Sequence, residues 1–320
     1  AMHLANMEKR SWLLSFLYRS KSASPITAVA FTVFLLWFAW AAVVQPVLVN
    51  AKVKLAKDEA EARFCRQATA RMADTVQSST WLDQYAHLKY VEVLGNCISE
   101  LPATERVART KQLYELLQDT AKLRPMFTRT WTSMGTTAVS LAEESADPQS
   151  ATQYIQEAEA VFQKAVELSP KRQEIWVEWA KKDIVQGEYE KAKEKAQICI
   201  ELNQEFGDCY WAMALANIYL GEFQEGERQL SLAREKPYWR ESKEYLLLLA
   251  DAYAAAKNYD ALIPVYEKLF AIDQDMQYRV GLAAAYKEIG DITKARQEAS
   301  QVLKSDLKLP FEIEQFLKSF

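Results

Sequence analysis

The chain has 320 residues, half of them hydrophobic and 26% charged, with 39 Lys and Arg against 43 Asp and Glu and a formal net charge of −4. Charge so balanced, with no large single-sign block, excludes the polybasic field that nucleic-acid binding needs. Eight glycines and nine prolines are few, and a chain rich in Ala, Leu, Glu, Lys and Gln reads as all-α with short connections.

The chain opens on Ala1, with Met2 and Met7 behind it, which reads as a fragment or a processed form. Residues 1–25 carry Lys9, Arg10, Arg19 and Lys21 around Trp12-Leu13-Leu14-Ser15-Phe16-Leu17-Tyr18. This basic and aromatic segment suits a membrane interface, or a loop between two spans. Residues 26–49, ITAVAFTVFLLWFAWAAVVQPVLV, hold no charged side chain. As a helix they extend roughly 36 Å, beyond the ~30 Å of a hydrocarbon core, and predict a single transmembrane helix. A cleaved signal peptide has an apolar core of only about 7–15 residues. Basic residues flank the span on both sides, with Lys52, Lys54, Lys57, Arg63 and Arg66 following it, so charge leaves the orientation open.

Residues 50–127 read as a charged helical stem and a degenerate hairpin. Leu55, Ala62, Cys65, Ala68 and Met72 fall at helical spacing over residues 51–76, which predicts one amphipathic helix leaving the bilayer. Gln77-Ser78-Ser79-Thr80 breaks it. Helices are then expected over 81–101 and over 104–123, the second preceded by Pro102 and closed near Pro125.

From residue 128 a period of 34 residues appears. It relates Trp176 to Tyr210, Gly187 to Gly221, Tyr189 to Phe223 and Ala192 to Gly226; Ala158, Phe162, Ala165 and Leu168 stand 34 before Ala192, Ala196, Cys199 and Leu202. Large residue, small residue four on, turn glycine, aromatic, then alanines: this pattern resembles the tetratricopeptide repeat (TPR), a helix-turn-helix unit. Residues 175–204 and 209–237 are the clearest copies. A copy opening at Trp131, Gly135 and Ala138 carries EESADPQ between its helices, and later ones cover 245–274 and 280–306. About five repeats over 128–306 therefore predict a TPR-like α-solenoid, with residues 307–320 as a capping helix. Ala180, Ala214, Ala250 and Ala283 are expected where helices approach closely. Gly187, Gly221 and Gly290 should supply the turns, with Lys257-Asn258 in the fourth copy, where Asn tolerates left-handed backbone.

The resemblance implies a concave surface lined by the first helix of each hairpin. Here that surface would present Arg129, Thr136, Lys181, Val185, Trp211, Leu215, Tyr219, Leu247, Asp251 and Lys287 to a protein or peptide partner. Trp211 and Tyr219, eight apart, could instead pack on neighbouring repeats. No catalytic, cofactor or metal motif is present. His3 and His87 are the two histidines; there is no HExxH, paired CxxC, phosphate loop or GxSxG. His87 reads as structural, and Glu143-Glu144 and Asp273 with Asp275 as solvated charges.

Cys199 and Cys209 flank a loop on consecutive antiparallel helices, and Cys65 and Cys97 lie about the break near Ser79. Mirrored positions on a hairpin reach disulfide distance. Free cysteine is also a favoured small core residue. Either bond would place the array in an oxidising compartment.

The order of parts, basic aromatic segment, span ending QPVLVN, charged stem and repeats opening RPMFTRTWTSMG, resembles the C-terminal region of bacterial O-antigen ligase/polymerase-like membrane proteins. The resemblance implies an extracytoplasmic array at the envelope, working with lipid-linked glycan machinery. It carries over no catalytic residue, because the multi-span domain of that family is not in this sequence. The alternative is an independent single-span TPR adaptor for secretion, pilus or division machinery.

Overall fold

The computed structural model describes residues 25–77, 80–305 and 310–319. The basic and aromatic stretch expected before the span lies outside them. Every regular element among the described residues is helical. By its internal contacts the chain divides into two compact units, the first ending at Leu116 and the second starting at Leu117.

The first unit begins with α1 (Pro25–Ala39), a π-helical turn (Trp40–Val44) and α2 (Gln45–Glu61). The three run on without a break, because α-helical geometry holds at both junctions: Ala39 and Val44, which precede the π turn and α2, and Gln45, which follows the π turn. Ile26 and residues 28–40 are exposed, so this apolar stretch has no protein cover. Pro46, Val49, Val53, Ala56 and Ala60 are buried at alternating spacings of three and four along one face of α2, the stripe expected of a helix packed on one side.

α2 and α3 (Cys65–Thr75) correct the single stem helix expected over 51–76. The chain turns at Ala62-Arg63-Phe64, with Arg63 in the left-handed region at φ 65°. Phe64 N–H donates to Glu59 C=O at 2.8 Å and Arg63 N–H to Ala60 C=O at 3.1 Å, which is the Schellman closure of a helix end. Neither Gly nor Pro marks the place; the turn is held by the packing of α3 back on α2. Arg71 adds a bidentate pair with Glu59, at 2.9 and 2.7 Å. α4 (Asp83–Cys97) packs on both, and a 3-10 turn at Ile98–Glu100 leads to α5 (Ala103–Leu123). A disulfide joins Cys65 to Cys97 with Cα atoms 5.1 Å apart. His87 is buried in α4.

The second unit stacks hairpins: α6 (Thr128–Glu144) with α7 (Pro148–Leu168), α8 (Gln173–Val185) with α9 (Tyr189–Leu202), α10 (Gly207–Tyr219) with α11 (Phe223–Glu235), α12 (Lys243–Ala255) with α13 (Tyr259–Asp273), and α14 (Met276–Glu288) with α15 (Ile292–Leu303). α16 (Phe311–Lys318) packs on α15, burying Leu317 with Ala283, Ala299 and Val302. Ala180, Ala214, Ala250 and Ala283 are all buried. One continuous apolar core runs from Ala180 through Trp211, Leu230, Tyr253 and Leu269 to Ala295, as expected of units that cannot bury their apolar faces alone.

The turns inside the last four hairpins close alike. Glu188 N–H reaches Asp183 C=O, Glu222 reaches Asn217, Asn258 reaches Tyr253 and Asp291 reaches Tyr286, at 2.8–2.9 Å. Gly187, Gly221 and Gly290 take φ of 73°, 80° and 84°. In the fourth hairpin Lys257 takes the left-handed position at φ 56°, and Asn258 does not, contrary to the reading from asparagine's tolerance. Its side chain instead caps α13, accepting from Ala261 N–H at 3.3 Å, a use of asparagine that competes with the turn. The EESADPQ insertion shrinks to three linking residues, since Asp147 caps α7 by accepting from Ser150 N–H at 2.9 Å and Pro148 opens the helix. A second disulfide joins Cys199 on α9 to Cys209 on α10, with Cα atoms 5.6 Å apart.

A charged knot ties α7, α8 and α9. The Asp183 side chain is fully buried and pairs with Lys182 at 2.7 Å and with Lys195. Lys182 also reaches Glu159 at 2.5 Å, and Glu159 accepts from Trp179 Nε1–H at 2.8 Å. Burial works to lower the Lys182 pKa, but Asp183 and Glu159 outweigh it and hold it above the ordinary lysine value. Removing one partner of such a knot strands the other charges. Asp183→Ala is expected to cost about 3–5 kcal/mol, read as a fall in the urea midpoint of the array. With both disulfides formed, intact chain is expected to take up no alkylating reagent before reduction and four equivalents after it, read by mass.

Candidate binding groove

The first helices of successive hairpins lie side by side, α6 against α8, α8 against α10 and α10 against α12. Along them runs a groove with two adjoining cavities. The larger, about 810 Å³, is walled by Ala142 and Glu143 of α6, Ile155 of α7, Val185 of α8, Tyr189 of α9, Tyr219 of α10, and Leu248 and Asp251 of α12. The smaller, about 150 Å³, adds Thr136, Glu178, Lys181 and Leu215. Glu143, Ile184, Val185 and Leu248 line both.

Of the residues expected on the concave face, the structure therefore brings Thr136, Lys181, Val185, Leu215, Tyr219 and Asp251 together. Two of the aromatic and aliphatic members correct their expected role. Trp211 is only 1% exposed, stacked on Tyr245 with centroids 4.4 Å apart, and offers no surface to a partner. Leu215 reaches the smaller cavity but is likewise 1% exposed. Both are absorbed because a first helix sandwiched between neighbours buries nearly its whole circumference. Tyr219 stacks on Tyr189 of the preceding hairpin, centroids 4.6 Å apart and planes within 5°, while one side faces the larger cavity. Leu247 is half-buried against the core. Arg129 is exposed on α6 outside both linings. Lys287 lies with Nζ 4.7 Å from the Phe316 ring centre of α16 and lines neither cavity.

Sequence reasoning missed Glu143, Glu178, Tyr189 and Leu248. Glu143 had read as a solvated charge at a helix end, yet it lines both cavities. The signal for Glu178 and Leu248 was available: each stands three residues before an expected groove residue, Lys181 and Asp251, on the same helical face.

The groove is mixed in charge. Lys181 Nζ donates to Glu178 at 2.9 Å and lies 5.7 Å from the Trp211 ring centre and 5.6 Å from that of Tyr245. Burial works against its charge, but Glu178 and then Asp208 outweigh it and raise its pKa. Tyr245 OH donates to Asp208 at 2.8 Å. On the opposite side, burial lifts Glu143 above the ordinary carboxylate range, and Glu144 and Asp251 push it further. Burial lifts Asp251 as well. The Tyr219 hydroxyl is pushed up to about 12, first by burial and then by Asp251, Tyr189 and Glu143. Among the described residues no three His, Cys, Asp or Glu side chains gather as metal ligands.

No protein-family model matches the chain, and no curated protein matches it by sequence. Among solved structures it is similar to a thermophilic TPR protein of Thermus thermophilus, with a TM-score of 0.50 at 14% identity over 65% of this chain and 98% of that one. It is also similar to a tetratricopeptide repeat protein from Parabacteroides merdae (TM-score 0.46, 20% identity, 66% and 78% covered). A third is PilW, described as a widely conserved type IV pilus biogenesis factor (TM-score 0.46, 16% identity, 70% and 93% covered). At the first of these likenesses the chain has the fold of a TPR array.

The raised carboxylates make a pH prediction. The folded chain keeps protons on Glu143 and Asp251 that the unfolded chain releases, so their contribution to stability falls as pH rises above the ordinary carboxylate range. Asp251→Asn is expected to be more stable than the parent at pH 7, by under about 1 kcal/mol because the group is partly solvated. The advantage should vanish below about pH 3, under the ordinary aspartate pKa, where the unfolded acid also holds its proton, as read from paired melting curves.

Proposed function

We propose that this chain is a membrane-anchored TPR scaffold of a bacterial envelope, and that its groove binds a protein or peptide partner without transforming it. The observation that carries the reading is the groove itself: a wall of first helices presenting Val185, Tyr219 and Leu248 beside Lys181, Glu143 and Asp251. Apolar anchors ringed by charges of both signs suit an extended peptide better than a small metabolite.

The anchor is the uncharged helix ahead of Gln45. Within the run from Ala28 to Glu61 it is long and apolar enough to cross a bilayer, and no residue of its apolar window is buried in the protein, which suits lipid and does not suit water. An extracytoplasmic array is supported by the two disulfides, because such bonds persist in oxidising compartments. The order of parts also supports work alongside lipid-linked glycan assembly, the chain being the non-catalytic C-terminal portion of an O-antigen ligase/polymerase-like protein. The rival is an independent single-span adaptor.

Two measurements test this. A photo-crosslinking residue at Val185 or Leu248 is expected to give one discrete adduct in native membranes, and the same residue at exposed Glu201 of α9 none. Adducts equal from all three, or absent from the groove, overturn the groove assignment. Alkaline phosphatase fused after Phe320 is expected to be active; an inactive fusion in an intact cell places the array in the cytoplasm and removes the envelope reading.

A further inference from the structure

The residue four positions after Ala42 is Pro46, which has no N–H to give to the Ala42 carbonyl as an α-helix requires. The chain answers locally with the π turn Trp40–Val44, in which Gln45 N–H donates to Trp40 C=O. It answers from a distance with the indole of Trp81, just ahead of α4, whose Nε1–H donates to the Ala42 carbonyl at 3.4 Å. Two turns on, Tyr85 OH meets Asn50 Oδ1 at 3.2 Å. Both rings remain open to the surroundings, Trp81 at 63% exposure and Tyr85 at 38%.

Protein cover on the long helix starts at the same level. Ile26 and residues 28–40 are bare, Ala41 and Ala42 are the first partly covered positions, and Pro46 and Val49 are buried. The elements that provide the cover carry polar and ionised groups: Asp83 accepts from Thr80 N–H close to Trp81, and Lys52 pairs with Asp74 at 2.9 Å. Hydrocarbon cannot receive these groups. Lipid must stop where the cover starts.

We propose that Trp81 and Tyr85 form an aromatic foot seated on the phospholipid headgroup layer, so that the hydrocarbon core ends at about Ala42 and residues 43–49 stand in the interface. The inference rests on the membrane-anchor reading and fixes its depth. The fifteen residues of α1 with Trp40 and Ala41 give about 25 Å of helix ahead of that boundary, at the short end for a span. One aromatic ring at that level, a second two turns on and an ion pair at Lys52 follow the order of a bilayer from core to water. The boundary lies several residues before the end of the uncharged stretch, so hydropathy alone overstates the span.

The test uses the full chain in vesicles of phosphatidylethanolamine and phosphatidylglycerol, with water-soluble maleimide brought to both faces by freezing and thawing. Both native cysteine pairs are bonded, so parent protein serves as the blank for Leu35→Cys, Phe38→Cys, Val47→Cys, Leu48→Cys and Leu55→Cys. All five positions are exposed on the protein, and only lipid can shield them. Labelling at Val47 and Leu48 within about threefold of Leu55, with Leu35 and Phe38 at least tenfold slower, is the expected result. Val47 and Leu48 as slow as Phe38 overturn the proposed boundary while leaving the anchor standing. Leu35 and Phe38 as fast as Leu55 overturn both. As a second readout, lipid brominated near the headgroup should quench parent fluorescence more than that of Trp81→Phe; equal quenching overturns the foot.

Discussion

A pair of antiparallel helices has two apolar faces and can bury only the one between them; the other must be covered by the next pair. Ala180, Ala214, Ala250 and Ala283 let helices approach closely enough for this stacking, and each is buried. The turn inside each of the last four hairpins is the same six-residue closure, with a left-handed residue at Gly187, Gly221, Lys257 and Gly290. Strain at such a position is least for glycine. That Lys257 accepts it shows how far packing on both sides of a hairpin can dictate the backbone between.

The same closure at Arg63 extends this logic to the first unit. There the long apolar helix changes role within one rod. Up to Trp40 its described side chains are uncovered; from Pro46 to Ala60 one stripe is packed by α3 and α4. On the anchored reading, α2 serves at once as the continuation of the span and as the first helix of a hairpin. Pro46 at the junction removes a backbone donor, and the π turn together with the Trp81 indole are what the fold supplies around it.

The groove is a by-product of the stacking. Once the first helices stand side by side, residues three and four apart on each are presented together, and their chemistry is set by neighbours from other hairpins. Lys181 holds its charge because Glu178 sits beside it and Asp208 acts from the next hairpin. Asp251, far from Glu143 in sequence, disfavours its ionisation across the cavity that both line. On the proposed reading, a surface that pairs apolar stacking with two kinds of charge would hold a bound chain in one register.

The amino-acid sequence determined the helical class, the period of the array, the uncharged helix and the alanine positions, because each is written in residue types at fixed spacing. It offered the cysteine pairings only as one of two readings, beside free cysteine in the core, and the structure joins both pairs. Tertiary structure alone decided what spacing does not encode. The turn at Arg63 has no glycine or proline to announce it; at the fourth hairpin Asn258 caps α13 and Lys257 takes the left-handed position. Trp211 went to the core and Glu143 to the groove wall because burial of a first-helix residue is set by the hairpins on either side, which lie 30 or more residues away and act through contact, not through local sequence.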